Sequence, residues 1–354
     1  MKTTVTIDRA GFRINGIPTY QGRVHEGQSV EGLLLNSRMI QGIFDDENQE
    51  TAKRWRYPDT RTWDADRNTD EFCAALPEYR RHGLLGVTVG LQGGGSIYTA
   101  DVYDQYECSA FEPDGTFRPA YFGRLKRVLE AADACGMVVI VNYFYWKHAL
   151  RLEGEKTMRR IAEEVTGWLL DTGHQNILID VFNEAGERWG MDAFAEENLH
   201  RWIELVQGTT QSGRHIPVGI STLGGNALPT GRWAELEDIS MPHGNGLQPE
   251  QLGAKLKRFK EGKEYQKRPR PILVNEDSVF VENLEAAVAE GASWGFYCQG
   301  YGSCYQDRTN WKAQDREDCC DDLSGYQTLP VNWGINTPIK KAFFDRVLDI
   351  TGGE

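Results

Sequence analysis

Eight short apolar segments recur along this sequence, at Met39–Phe44, Leu84–Leu91, Val138–Phe144, Ile177–Phe182, Pro217–Thr222, Ile239–Pro242, Pro271–Asn275 and Ser293–Cys298. Stretches of helical periodicity follow them at about 70–82, 120–135, 155–172, 192–212, 248–262, 281–290 and 337–350, with a weak signal at Arg232–Glu237. A strand, a loop and an amphipathic helix repeated in succession build a parallel sheet with helices packed against it. Eight such units are expected to form a (β/α)8 barrel, because a closed sheet leaves no unpaired edge. An open doubly wound sheet would call for a glycine-rich phosphate-binding turn after its first strand, and none is present. Thr69 before Asp70-Glu71 predicts a helix start, Gly83 and Gly136 predict helix stops, and Asn336-Thr337-Pro338 predicts the start of the last helix.

Ahead of the first unit, Val5, Ile7, Phe12 and Ile14 alternate with polar residues, and Asn15-Gly16 separates them from Ile17–Tyr20. Asn-Gly between such runs predicts a β-hairpin, so residues 1–22 are read as a hairpin and lead-in. No repeat, low-complexity run or linker follows, and residues 1–354 are expected to form a single domain. With 39 Lys and Arg against 52 Asp and Glu, the net charge is −13 and nucleic-acid or anionic-membrane partners are not expected. No basic-then-apolar leader and no long apolar span are seen. Seven scattered cysteines without Cys-x-x-Cys spacing read as reduced thiols, and a cytoplasmic protein is expected. Adjacent Cys319 and Cys320 sit in the acidic stretch Asp315–Asp322, read as a solvated loop.

Three connections, Asp45–Asn68, Gln92–Arg118 and Gln299–Asn336, are far longer than an ordinary β/α loop, and all follow strands. They would therefore crowd the C-terminal mouth, where barrel sites are built. They carry Trp55, Tyr57, Trp63, Tyr98, Tyr103, Tyr106, Tyr301, Tyr305, Trp311, Tyr326 and Trp333, expected to line a groove or pocket. Two strands end alike: Ile177–Phe182 runs into Asn183-Glu184, and Pro271–Asn275 runs into Glu276-Asp277. A carboxylate placed just after an apolar strand is partly desolvated at the mouth, where a general acid or a nucleophile would be held. Glycosidic bond cleavage needs such a pair, about 5–5.5 Å apart for retention and about 6.5–9.5 Å for inversion. No HxH, HExxH, GxGxxG, P-loop or GxSxG pattern occurs, so neither a metal nor a cofactor is expected.

Asn-Glu after the fourth strand, a Glu after the seventh, 92 residues further on, and the hairpin Phe12–Tyr20 together resemble the clan A retaining glycoside hydrolases, barrels of the β-glycosidase and cellulase type. The resemblance implies Glu184 as acid/base, Asn183 as the contact to the sugar 2-hydroxyl, and Glu276 as nucleophile. It also implies His243, after the sixth strand, as a neighbour of the nucleophile. At the end of the third strand Asn142, Tyr143, Tyr145, Trp146 and His148 are candidates for substrate contact, about half of which alternation sends to the barrel wall. The family's arginine near the nucleophile is missing from the second strand, which ends in Gln92-Gly-Gly-Gly95; Arg38 or Arg23 is expected in its place. Asp277 follows Glu276 directly, and strand alternation should point the two oppositely. The family places an aromatic platform at the end of the eighth strand; Trp294 comes early in that strand, so the candidates for the position are Tyr297, Gln299 and Tyr301, and Trp294 and Tyr297 are expected to contact substrate. His25-Glu26, ahead of the first strand, is at most pocket lining. The function expected is a metal-independent retaining glycosidase, exo-acting on oligosaccharides, with carbohydrate as its partner. The rival is a sugar-binding barrel without catalysis. A lyase or isomerase using a Lys Schiff base is disfavoured, since Lys147 is the nearest lysine to a strand end.

Overall fold

The computed structural model describes residues 2–94, 105–186, 189–298 and 329–353. A six-stranded parallel sheet runs in the spatial order Val218–Gly219, Ile177–Asn183, Val138–Tyr145, Gly86–Gly90, Asn36–Arg38, Gly295–Phe296. From one edge of that sheet to the other, single parallel bridges Ser221↔Met241, Ser240↔Ile272 and Leu273↔Ser293 carry the chain through the sixth and seventh segments. All eight segments thus follow one another around a ring, in an α/β arrangement of the (β/α)8 kind. Helices alternate with them, including Ala65–Arg81, Pro119–Cys135, Gly154–Asp171, Glu196–Gly208, Pro249–Glu261 and Pro338–Thr351.

The first strand departs from expectation. It is Asn36–Arg38, whereas Ile40–Ile43, inside the segment read as a strand, is a 3-10 turn. Asn36-Ser37-Arg38 is polar and yet fully enclosed, because its side chains find partners: Asn36 Nδ2 donates to the carbonyl of Trp294 at 3.0 Å, and Ser37 Oγ to that of Phe296 at 3.2 Å. Thr69 is likewise not a cap. The helix starts at Ala65, where Asp64 accepts from the amide of Arg67, and Thr69 lies inside it, donating to the carbonyl of Gly42 at 2.8 Å. The helix expected from 192 begins at Glu196, after a 3-10 turn at Asp192–Phe194.

At the N-terminus Val5–Asp8, Gly11–Ile14 and Ile17–Pro18 form a three-stranded antiparallel sheet, with Asn15 (φ 53°) and Gly16 (φ 80°) at its second turn. Both turn residues occupy the left-handed region that the Asn-Gly pair tolerates. Val5 and Phe12 of this sheet pack with Leu34, Leu85, Val138, Ile140, Leu178, Ile239, Met241 and Leu273, one cluster drawn from successive strands. The N-terminal sheet is therefore an apolar plug at the base of the ring. The larger core lies between strands and helices.

The loop aromatics are a second correction. Trp55, Tyr57, Tyr106 and Trp333 are buried instead of lining a groove. Trp55 sits edge-on to Phe44 and Tyr106 and donates to Asp46 at 2.8 Å, so the first two long loops share a small core of their own. Tyr98, Tyr103, Tyr301, Tyr305, Trp311, Tyr326, Gln299, Cys319 and Cys320 lie outside the described residues. Cys73 and Cys108 carry free thiols. Among the described residues no helix is long and apolar enough to cross a membrane.

Candidate active site

Glu184, His243 and Glu276 converge, with one potential ligand atom from each lying within 4.8 Å of the others. The Nδ1 of His243 is 3.5 Å from Oε1 of Glu184 and 3.7 Å from Oε2 of Glu276. Arg38, at the end of the first strand, closes the group. Its Nε is 2.7 Å from Oε2 of Glu276, and its Nη2 donates to Oδ1 of Asn183. One buried guanidinium thereby joins the residue beside Glu184 to Glu276 across the ring. Burial alone would lower the pKa of Arg38, but Glu276, Tyr297, Asp180 and Glu184 outweigh it and raise it. A positive charge is thus fixed beneath the two carboxylates.

The backbone is bent to present these groups. Glu184 has φ 57°, a left-handed conformation costing a non-glycine residue of order 1–2 kcal/mol. It is held there by three contacts: the Glu184 amide donates to Ser221 Oγ at 3.2 Å, the Ala185 amide to the Ser221 carbonyl at 3.0 Å, and Trp189 Nε1 to the Glu184 carbonyl at 2.9 Å. On the sixth connection, Gly244 allows the chain to pass close to the seventh strand end. A Cβ there would lie 2.6 Å from the Asp277 carboxyl carbon, and the Gly244 amide donates to the Glu276 carbonyl at 3.0 Å. His243 and Asn245, on either side of this glycine, both reach the glutamates, and Asn245 Nδ2 donates to Oε1 of Glu276 at 3.0 Å. Sequence reasoning passed over Asn245, although it stands two residues from His243. Lys255 is also buried, its Nζ donating to the carbonyls of His243 at 2.6 Å and Gly225 at 2.8 Å. Burial lowers its pKa to about 8.

Asp277 is turned away, as alternation requires. Its Oδ2 accepts from Trp294 Nε1 at 2.6 Å and from Asn283 Nδ2 at 2.9 Å. This places Trp294, fully enclosed with its ring 6.0 Å from Phe343 of the C-terminal helix, in the packing behind the strand. Trp294 is therefore withdrawn as a substrate contact. Tyr297 is near the group, its ring 5.6 Å from the Arg38 guanidinium carbon. Asn142 lies deeper, buried and donating to Asp180 Oδ2 at 3.1 Å. Tyr145 and Trp146 are half-buried at the third strand end, with Lys147 over the Trp146 ring at 5.3 Å. Arg23 is elsewhere, bonded to the carbonyls of Asp349 and Ile350 on the last helix, and His25 sits in a small hairpin beside that helix.

Burial pushes the Asp277 carboxyl up from 3.8 to about 6, against the pull of Asn283 and Trp294. A folded value above the unfolded one means that folding takes up a proton between about pH 4 and pH 6, and that the ionised group costs stability above that window. A rise of this size corresponds to at most about 3 kcal/mol. Asp277→Asn is therefore expected to approach wild-type stability near pH 4 and to exceed it by about 1–3 kcal/mol above pH 6.5, with turnover largely retained. Urea unfolding at pH 4 and pH 8 checks this; a variant no more stable at pH 8 than at pH 4, relative to wild type, would contradict it.

No protein-family model matches the chain, and no curated protein matches it. Solved structures do. A broad-specificity endoglucanase from Clostridium longisporum aligns at 10% identity over 90% of this chain and 97% of that one, with a TM-score of 0.54. Another from Bacteroides salanitronis aligns at 13% identity over 94% and 97%, with a TM-score of 0.53. A glycoside hydrolase family 5 enzyme from Prevotella bryantii aligns at 11% identity over 88% and 95%, with a TM-score of 0.52, and a mutant of it is solved in complex with a xyloglucan tetradecasaccharide. At these identities the likeness is one of fold, and the chain has the α/β fold of the family 5 glycoside hydrolases.

Proposed function

We propose that this chain is a retaining glycoside hydrolase acting on β-linked saccharides, with Glu276 as nucleophile and Glu184 as acid/base. The observation that carries the reading is the approach of the two carboxylates, whose potential ligand atoms lie within 4.8 Å together with that of His243. Oxygens that close agree with the shorter carboxylate spacing of a retaining pair, about 5–5.5 Å, against about 6.5–9.5 Å where a water intervenes. Glu276 attacks the anomeric carbon as the glycosidic C–O bond breaks, and Glu184 passes its proton to the departing oxygen. A glycosyl ester on Glu276 results. Glu184, now ionised, takes a proton from water, the water oxygen bonds to the anomeric carbon, and the Glu276 carboxylate is released. Arg38 and Asn245 hold Glu276 aimed, and Asn183, tethered by Arg38, is placed to meet the sugar 2-hydroxyl.

A sugar-binding barrel without catalysis would have no use for a strained Glu184 or for a guanidinium on the second carboxylate. Glu184, His243 and Glu276 could also offer three ligands to a cation, but Arg38 already brings positive charge to Oε2 of Glu276, which favours a metal-independent reaction. Seven scattered cysteines without Cys-x-x-Cys spacing support a reducing, cytoplasmic setting. Exo action on oligosaccharides follows from the sequence reading; the two endoglucanase neighbours favour endo action as the second reading. The deciding experiment is a screen of aryl glycosides differing in sugar and anomer, with and without EDTA, followed by product analysis on cello-oligosaccharides. Release of aryl alcohol from one β-glycoside series, unchanged by EDTA, is expected, and stepwise loss of single sugars from one end marks exo action. Activity lost with EDTA and restored by a divalent ion would contradict metal independence.

A further inference from the structure

We propose that Asp180 is a positioning residue for both glutamates: a buried carboxylate beneath them that sets the two strand ends and supplies fixed negative charge. The proposal rests on the glycosidase reading above, although one arm of its test does not. Asp180 lies midway along the strand Ile177–Asn183, wholly enclosed, in a run otherwise apolar until Asn183. Three donors converge on it. Oδ2 accepts from Asn142 Nδ2 at 3.1 Å and from Asn275 Nδ2 at 3.0 Å, and Oδ1 accepts from the amide of Ser221 at 2.9 Å. Hydrogen bonds that all point inward satisfy the ionised form.

Two of these donors lead directly to the reacting groups. Asn275 is covalently joined to Glu276. Ser221 receives the amide of Glu184 on its Oγ and donates that hydroxyl to the carbonyl of Phe182 at 2.8 Å, which fixes the turn where Glu184 takes its left-handed conformation. The titratable groups facing Asp180 are His243 and Arg38, the two that also touch the glutamates. Burial raises the pKa of Asp180, and His243, Arg38 and Ser221 pull it back. One carboxylate thereby links four strands of the ring to both halves of the reaction.

Asp180→Asn keeps the shape but has a single acceptor oxygen, so either Ser221 or the asparagine pair loses its partner. The expected result is a kcat lowered about 10- to 100-fold, with KM within about twofold. Both limbs of the pH profile of kcat/KM should move to lower pH by about half a unit or more, because a repelling charge has gone. Asn275→Ala and Ser221→Ala each cut one arm and serve if Asp180→Asn does not fold. The former should slow all substrates, and the latter chiefly those with poor leaving groups. Crystal structures of wild type and Asp180→Asn give the activity-independent arm, in which the Arg38–Glu276 contact should lengthen. Should wild type cleave no glycoside, the glycosidase reading fails while this arm still decides the role of Asp180. All variants within twofold of wild type with unmoved pH limbs, or a crystal structure with the Arg38–Glu276 contact unchanged, would overturn the proposal.

Discussion

Glu276→Ala is expected to lower kcat/KM by roughly 10⁴-fold or more while the fold survives, because the variant lacks the atom that forms the covalent intermediate. The surroundings say why nothing substitutes for it. Arg38 and Asn245 are both spent on this carboxylate, and the neighbouring Asp277 is bonded to Trp294 and Asn283 on the far side of the strand. Removal leaves Arg38 without its ion-pair partner, which adds a stability cost of about 3–5 kcal/mol typical of broken buried pairs. Circular dichroism should still report a folded chain, because Asn183 keeps one end of Arg38 engaged. Azide is small enough to occupy the vacated space and should restore some turnover, giving a glycosyl azide of inverted anomeric configuration. Wild-type activity in the variant would remove Glu276 from the reaction, and the same loss in Asp277→Asn instead would move the nucleophile by one residue.

Glu184→Ala should divide substrates by their leaving groups. A sugar alcohol cannot depart without a proton, whereas a dinitrophenolate can, so the acid matters only where the leaving group is poor. Formation of the glycosyl-enzyme from a dinitrophenyl glycoside is expected to be nearly normal. A natural disaccharide should lose about 10²–10⁴-fold, the usual contribution of general acid catalysis. Hydrolysis of the intermediate also loses its base, so the activated substrate should show a burst of phenolate followed by a slow steady state, which azide accelerates. Pre-steady-state absorbance measures the burst. Equal losses on both substrates, without a burst, would mean that Glu184 is not the acid.

The two glutamates were legible because each ends an apolar strand, and a carboxylate left there must be either solvated or employed. The strand bearing Arg38 was misread for the converse reason. Asn36-Ser37-Arg38 has no apolar signature, since its polar side chains are satisfied by residues up to 259 positions away, and no local pattern reports such partners. Asp180 left a trace, a charge amid Ile-Leu-Ile and Val-Phe, that could have been read as an inward polar position. Asn245 and Ser221 left none, because small polar residues at strand ends are common. The loop aromatics were misplaced for a related reason: a Trp on a long loop looks the same whether it faces sugar or, like Trp55, packs on Phe44 and bonds to Asp46. Trp294 likewise lies on the strand of Tyr297, and only its bond to Asp277 shows that it packs behind the strand end.

The most direct measurement is trapping of the intermediate with an activated 2-deoxy-2-fluoro-β-glycoside, whose fluorine slows both steps while the good leaving group rescues the first. Intact-protein mass spectrometry should show the gain of one fluoroglycosyl group. Peptide mapping should place the ester on Glu276, and Glu276→Ala should remain unlabelled. Hydrolysis of that glycoside with no adduct and with α-configured sugar as the first product, or an ester found on any other carboxylate, would contradict the retaining assignment.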